Sequence, residues 1–445
     1  MRGLLLILFV MGTLPMALVE PYIGLLLWTL FSDMNPYREV YGIAARIHWV
    51  YLIAVVTIFS AIIHANKLQK LKWDAMSRLM VIFVLFTTVS SYFSVVPGYA
   101  WPHWQQLFKV VLLSFFIILL VDSRKRLDLL IWVFVISFGF WGMKGGLFTL
   151  VHGGHYIVTG PEYSFYGDRN QFALAMCMTL PLMRYLQLQA RSRWIRLGLW
   201  VGMALVVMSI LGTYSRGGQI ALAFVIPALI WKSRNRFRLL FLTAALLPLA
   251  LNFMPPQWTH RMEAVVSGGA EKGGSFQGRV QSWEFATNYA LHHPMLGGGF
   301  GVWLSPAAWD QYGPPGVHHR AIHSIWFEVL AEQGVVGFGL YVLMLASAWL
   351  YLGRIRRLAR GDPDSLWMYD LAGFIQVSLV AFAVAGSALP QAYFNFLFQL
   401  YAVISLLLKF ALQHRAAQRA AAPAARAAYP SAPARPLVYD KRSSQ

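Results

Sequence analysis

The sequence predicts an all-α polytopic membrane protein with about twelve transmembrane helices and one large polar loop on the outer side. Three observations carry this reading. The chain is 58% hydrophobic and only 12% charged over 445 residues, where a soluble domain carries about 25% charged residues. Its apolar residues come in runs of about twenty, long enough to cross ~30 Å of hydrocarbon as helix. Lipid offers the backbone no hydrogen bonds, so spans are helices or a closed barrel, and continuous rather than alternating runs select helices.

Taken in order, the stretch 3–31 is broken by Pro15 and by Glu20-Pro21, and reads as one long kinked span or as two short ones. Its start lacks a small-residue cleavage pattern and is read as a retained first span. A polar segment with Asp33, Asn35, Arg38 and Glu39 precedes spans near 45–64, 78–96, 104–121 and 127–150. A polar loop, 151–169, follows, then spans near 170–188, 195–213, 217–232 and 237–254. The long polar interruption 255–322 opens with Pro255-Pro256 and carries several glycines, arginines and histidines. The last spans lie near 323–350, 368–388 and 391–412. The expected organisation is therefore 1–150 and 151–254 as N-terminal and central helices, the latter with the first outer loop; 255–322 as the large loop; and 323–412 as C-terminal helices. Residues 413–445, rich in Ala, Pro and Arg, cannot bury a core and are expected to be a disordered basic tail.

Orientation follows from the basic connectors. Lys67/Lys70/Lys72, Arg124/Lys125/Arg126, Arg191/Arg193/Arg196, Lys232/Arg234/Arg236/Arg238 and Arg354/Arg356/Arg357/Arg360 fall in every second connector, and the basic tail falls with them. Short cytoplasmic loops carry the Lys/Arg excess. With 1–31 counted as one crossing, both termini are expected in the cytoplasm, and 151–169, the turn at Ser215-Arg216 and 255–322 outside. In a bacterium this is a multi-pass inner-membrane protein whose loops face the periplasm.

The same distribution accounts for the net charge of +19; it reflects topology and membrane lipid rather than nucleic acid. Cys177 stands alone inside an apolar run, which excludes an intramolecular disulfide and a Cys-based metal site. His292, His293, His318, His319 and His323 have only Asp310 near them in sequence, so no metal is expected.

Chemistry is expected where the outer loops meet the span ends. Arg216, in Gly212-Thr213-Tyr214-Ser215-Arg216-Gly217-Gly218, lies where one span ends and the next begins. It is either a snorkelling side chain or part of an anion site, a guanidinium beside the free N–H groups of a helix start. Tyr214 is counted with it as a substrate-binding candidate. Arg279 heads a segment in which Trp283, Ala286 and Tyr289-Ala290 suggest a short amphipathic helix lying on the membrane surface. A loop arginine alone means little, but two arginines on one face suit a diphosphate. His323 begins a span; imidazole titrates near neutrality and takes a proton from a hydroxyl, and a helix N-terminus favours its neutral form. The alternative is an interfacial histidine with its bonds satisfied. Asp168-Arg169-Asn170 either orients substrate through Arg169 or caps a helix. Glu328 and Glu332 sit one turn apart inside a span, where carboxylates are rare; the alternative is that Glu332-Gln333-Gly334 marks a local break and that these residues only support packing.

These segments resemble a known family. Tyr214-Ser215-Arg216-Gly217-Gly218 looks like the Ser-Arg-Gly segment of the O-antigen ligase and polymerase superfamily. Gly278-Arg279 through Trp283, with His293-Pro294-Met295-Leu296-Gly297-Gly298-Gly299-Phe300-Gly301, is similar to its Arg…Trp…Pro-Leu-Gly-x-Gly segment. His323-Ser324 through Glu332-Gln333-Gly334-Val335-Val336-Gly337 is similar to its His-Asn…Glu-x-Gly-x-x-Gly segment, with Ser324 in place of the usual Asn. The part before residue 150 resembles O-glycosylation ligases. The resemblance implies a GT-C-like, metal- and cofactor-independent inverting glycosyltransferase. The donor would be a glycan on undecaprenyl diphosphate, the acceptor a sugar hydroxyl of lipid A–core, a protein hydroxyl or a growing glycan. His323 would be the base, and Arg216 and Arg279 would hold the diphosphate. A polyprenyl-glycan transporter is the reading from a different class; it calls for ionisable groups at mid-membrane and repeated halves, whereas here the unusual residues cluster on one face and no repeat is visible.

Overall fold

The computed structural model describes residues 2–71, 73–233, 236–260 and 275–428. Among these the regular structure is helical. In chain order the helices are α1 (Arg2–Val19), α2 (Pro21–Met34), the single turn α3 (Ile43–Arg46), α4 (Trp49–Ile63), α5 (Ala75–Tyr92), α6 (Pro97–Leu120), α7 (Arg124–Val151) and α8 (Arg169–Gln189). They continue as α9 (Arg193–Gly212), α10 (Arg216–Trp231), α11 (Arg236–Phe253), α12 (Ser275–His292), α13 (Pro306–Tyr312), α14 (Ile325–Leu358), α15 (Leu366–Gly386) and α16 (Asn395–Ala428). Nine of the described helices are long and apolar enough to cross a membrane, and α4 and α10 are shorter apolar helices. The chain is thus a polytopic helical membrane protein.

The sequence itself sets the helix starts. Asp74, Ser123, Asp168 and Ser215 each occupy an N-cap and accept a hydrogen bond from a backbone N–H two or three residues on. α8 and α16 form the centre: Phe172 to Gln187 is buried throughout, as is most of Phe394 to Leu408. α11 lies at the periphery with no buried residue. α7 and α9 pack closely, and glycine makes the approach possible. A Cβ on Gly146 would stand 1.9 Å from the Leu205 carbonyl oxygen, the small-residue contact on which membrane helices rely.

The basic connectors gather at one end of the bundle. Gln69 reaches the Val121 carbonyl, Lys409 reaches Gln69, Arg124 reaches Gln189, and Arg415 reaches the Leu358 carbonyl. The polar loops gather at the other, where Tyr166 bonds the Asp33 carbonyl, Gln391 that of Phe165, and Ser94 that of Gly298.

The N-terminus departs from expectation. Residues 1–31 are not one crossing. α1 and α2 form an antiparallel hairpin whose turn, at Glu20, lies at the basic end: Glu20 pairs with Lys67 at 2.9 Å and Arg126 at 3.1 Å. The other end of the hairpin reaches the loop end, where Glu39 faces Arg2 at 3.9 Å and Lys144 at 2.7 Å. The cause is electrostatic. A carboxylate in mid-membrane is costly, and Pro21 cannot continue the N–H ladder, so the break sits where Glu20 finds cations. The hairpin adds one crossing and sets the described chain ends at opposite ends of the bundle, rather than both at the basic end as expected. The tail also differs: α16 continues to Ala428, so the segment after 413 starts helical. Residues 429–445, and Arg261 with the loop to 274, lie outside the described residues.

Candidate active site

The site lies at the loop end, on the turn between α9 and α10, the start of α14 and helix α12. The turn is held from both sides. Tyr214 adopts a left-handed backbone with φ of 55°, which a non-glycine residue holds only when its surroundings impose it. Its hydroxyl donates to the Gly154 carbonyl at 2.7 Å, and the Trp258 indole donates to the Leu211 carbonyl at 3.0 Å. Ser215 caps α10 by accepting from Gly218 N–H at 3.2 Å. Arg216 is then the first residue of α10. The Tyr214 donor is engaged inside the protein, so this residue shapes the turn rather than offering its proton to a ligand.

The large loop packs as a small core of its own. Phe285, Ala286, Tyr289, Val302, Ala308, Trp309 and Ile322 cluster together with Ala331 of α14. Phe285 stacks on Trp309 at 4.3 Å, and Trp283 on Phe327 at 5.2 Å. The sequence places an amphipathic helix here on the membrane surface. The helix exists as α12, but its apolar face is buried against α13 and α14. The reason is that α13 supplies Trp309, and the start of α14 supplies Phe327, as a drier partner than the lipid headgroup region. His292 and His293 stand against Tyr312, His292 also meeting the Asn288 carbonyl and His293 the Tyr312 hydroxyl.

A break in α14 fixes the height of the site. Gly334 has φ 66° and ψ −173°, which no helix contains. The glycine-rich loop docks into this break: Gly298 N–H donates to Ala331 O at 3.0 Å, Gly299 N–H to Glu332 O at 2.8 Å, and Val335 N–H to Pro294 O at 2.8 Å. The buried carboxylates act as brackets. Glu332 accepts from Gly301 N–H at 2.8 Å, and Glu328 from Ala392 N–H at 2.9 Å.

On this scaffold Arg279, Arg216, His323 and Asp168 act on one another electrostatically. Burial lowers the Arg279 pKa, and the Arg216 charge lowers it further. Burial likewise lowers that of His323, the Arg279 charge adds to this, and Asp168 opposes it. The His323 side chain keeps an open surface while the protein around its ring displaces enough water to disfavour the imidazolium. Both shifts resist positive charge, and an anion between the guanidiniums would relieve both. Arg169 opens α8 directly after Asp168, which caps that helix through Asn170 N–H at 2.8 Å; that position alone links Arg169 to the group. Arg320 has no motif to mark it in the sequence, yet its guanidinium lies against Gly278, beside Arg279: a Cβ there would stand 2.0 Å from Nη1. Its only sequence signal is its place three residues before His323.

An apolar cavity of about 820 Å³ runs along α10 and α11. At the Arg216 end it is lined by Leu211, Gln219, Leu251 and Trp258, and at the basic end by Trp231, Arg236 and Phe237.

Residues 201–342 match the O-antigen ligase family, and residues 1–190 match a family of unknown function, DUF5935. No curated protein matches the chain.

Proposed function

We propose, from the match of residues 201–342 to the O-antigen ligase family, that the chain transfers a glycan from undecaprenyl diphosphate to a hydroxyl at the periplasmic face of the bacterial inner membrane, on a GT-C-like scaffold. The support for this reading is the electrostatic contact of Arg279 with both Arg216 and His323, together with an apolar cavity that begins at Gln219, one turn along α10 from Arg216. The cavity suits a polyprenyl chain, and the arginines at its outer end suit the diphosphate. The neutral His323 takes the acceptor proton as the hydroxyl oxygen attacks the anomeric carbon from the face opposite the diphosphate. The bond from carbon to diphosphate oxygen breaks with inversion. Polyprenyl diphosphate leaves with its new charge held by Arg216 and Arg279, donors already oriented before charge develops. In this reading Arg320, which lies against Gly278, and Arg169, next to Asp168, extend the cationic wall. The acceptor we favour is a sugar hydroxyl of lipid A–core; a growing glycan or a protein serine would serve the same chemistry.

The test is transfer in vitro from polyprenyl-diphosphate glycan to lipid A–core, a serine-containing peptide or glycan, with a chelator present. Wild type is compared with His323→Ala and Arg216→Ala. Chelator-insensitive transfer that falls about 10²–10⁴-fold in His323→Ala supports the mechanism. Transfer to peptide or glycan alone moves the acceptor and keeps the chemistry. Unchanged variants refute the assignment, and flipping of polyprenyl-linked glycan is then the activity to assay.

A further inference from the structure

A second cavity, of about 860 Å³, opens at the loop end between α2, α4 and α6, and none of the Arg216–Arg279–His323 group lines it. Its walls are unusual for a membrane bundle. α6 turns Gln105, Gln106 and Lys109 toward it from within a spanning helix, where such side chains are costly unless they meet water or a polar ligand. Arg38 and Arg46 add two more cations from the segment between α2 and α4. Aromatic rings hold two of these charges: Lys109 Nζ lies 4.7 Å from the Tyr51 ring centre, and the Arg38 guanidinium 5.4 Å from that of Tyr163.

At the start of α16 the cavity meets two buried amides. Asn395, 8% exposed, and Gln399, 0% exposed, each hold a carbonyl oxygen without a hydrogen-bond partner. The Gln399 amide nitrogen is fixed on Asp33 at 3.0 Å, so its oxygen remains free. Unpartnered buried acceptors are uncommon and costly. Below this polar rim, Val50, Ala54 and Ile58 of α4 face Val110 and Leu113 of α6 along an apolar slot.

We propose that this cavity binds a lipid with an anionic, hydroxyl-bearing headgroup. Three cations call for a phosphate or carboxylate. The free Asn395 and Gln399 oxygens call for hydroxyl donors, and the slot between α4 and α6 accepts an acyl chain. A zwitterionic headgroup without hydroxyls brings a phosphate, but it also brings a cation that the three charges repel, and it offers the two amide oxygens no donor. The site stands on its own residues, independently of the transfer reaction.

Native mass spectrometry of the full chain in detergent tests this, with phosphatidylglycerol, phosphatidylcholine and glycerol 3-phosphate as probes. The variants are Arg46→Ala/Lys109→Gln and Asn395→Leu, and Arg193→Ala/Arg238→Ala at the basic end is the charge-matched control. Wild type and control should retain one phosphatidylglycerol at least about tenfold over phosphatidylcholine, and Arg46→Ala/Lys109→Gln should lose about tenfold in affinity. Asn395→Leu should weaken phosphatidylglycerol while eluting as the wild type does. Equal retention of phosphatidylcholine, an equal loss in the control, or unaltered binding in both cavity variants would overturn the proposal. Glycerol 3-phosphate binding as tightly as the lipid would also overturn it, by reducing the cavity to a site for free anions.

Discussion

Replacing Gly334 by alanine isolates what the break in α14 does. At φ 66° and ψ −173° the backbone occupies a region essentially restricted to glycine, and forcing an L-residue there costs about 1–3 kcal/mol. The added Cβ would stand 2.6 Å from the Pro294 oxygen, 2.8 Å from the Gly297 nitrogen and 3.0 Å from the His293 oxygen. All are backbone atoms, so relief requires the glycine-rich loop to lift. Lifting it breaks the bonds from Gly298 to Ala331, Gly299 to Glu332 and Val335 to Pro294, at about 1 kcal/mol each. Gly334→Ala should therefore destabilise the docked loop by about 4–6 kcal/mol. Gly339→Ala is the internal control: it lies in the same helix, its added methyl group would meet nothing within 4 Å, and it should be neutral or stabilising by up to about 1 kcal/mol. Thermal unfolding in detergent, with limited proteolysis of the 255–322 loop, reads the difference. If Gly334→Ala melts and resists protease as Gly339→Ala does, the break does not hold the loop, and the account of how His323 is positioned fails.

Other outcomes follow from the same geometry. If neutral His323 is the base, its lowered pKa extends transfer activity to a lower pH than an ordinary histidine allows. Asp168→Asn, which removes the charge that raises this pKa, should move the acid limb of kcat/KM further down; Arg279→Gln should move it up. A limb that stays fixed in both variants excludes His323 as the group it reports. Trp283→Ala removes the stack on Phe327 and should cost about 2–3 kcal/mol, read by the same thermal unfolding. In a Cys177→Ala background, Arg2→Cys and Ala417→Cys should react with an impermeant maleimide from opposite faces of the membrane; labelling from one face refutes the α1–α2 hairpin.

The parts of this fold that are legible in sequence are those that local composition decides. Apolar runs locate the spans after residue 40, and alternating basic connectors sort their ends. The hairpin stays open at that level because the partners that fix Glu20 are distant, Lys67 lying 47 residues away and Arg126 lying 106 away. Proline and glutamate announce a break, but only those cations say that it belongs at the basic end. α12 is legible as a helix and misplaced for a similar reason. Its apolar stripe is visible at 283–290, whereas the surface that receives it is assembled from Trp309 and Phe327.

The site divides along the same line. Arg216, Arg279 and His323 stand out as candidates because each is a polar residue at a span end or in a loop, away from the basic connectors. Arg320 is not, since its proximity to Arg279 depends on Gly278 lacking a side chain at the point where the guanidinium crosses α12. Glu328 and Glu332 stand out in the sequence as carboxylates inside a span, with chemistry and packing both open, and in the structure each accepts a backbone N–H, from Ala392 and Gly301. That assignment bears on how the loop works. A carboxyl group that brackets a buried glycine turn resists separation from it, since lifting the turn strands a buried acceptor and its donor. The 293–301 segment is thus tied to α14 more firmly than a lid would be.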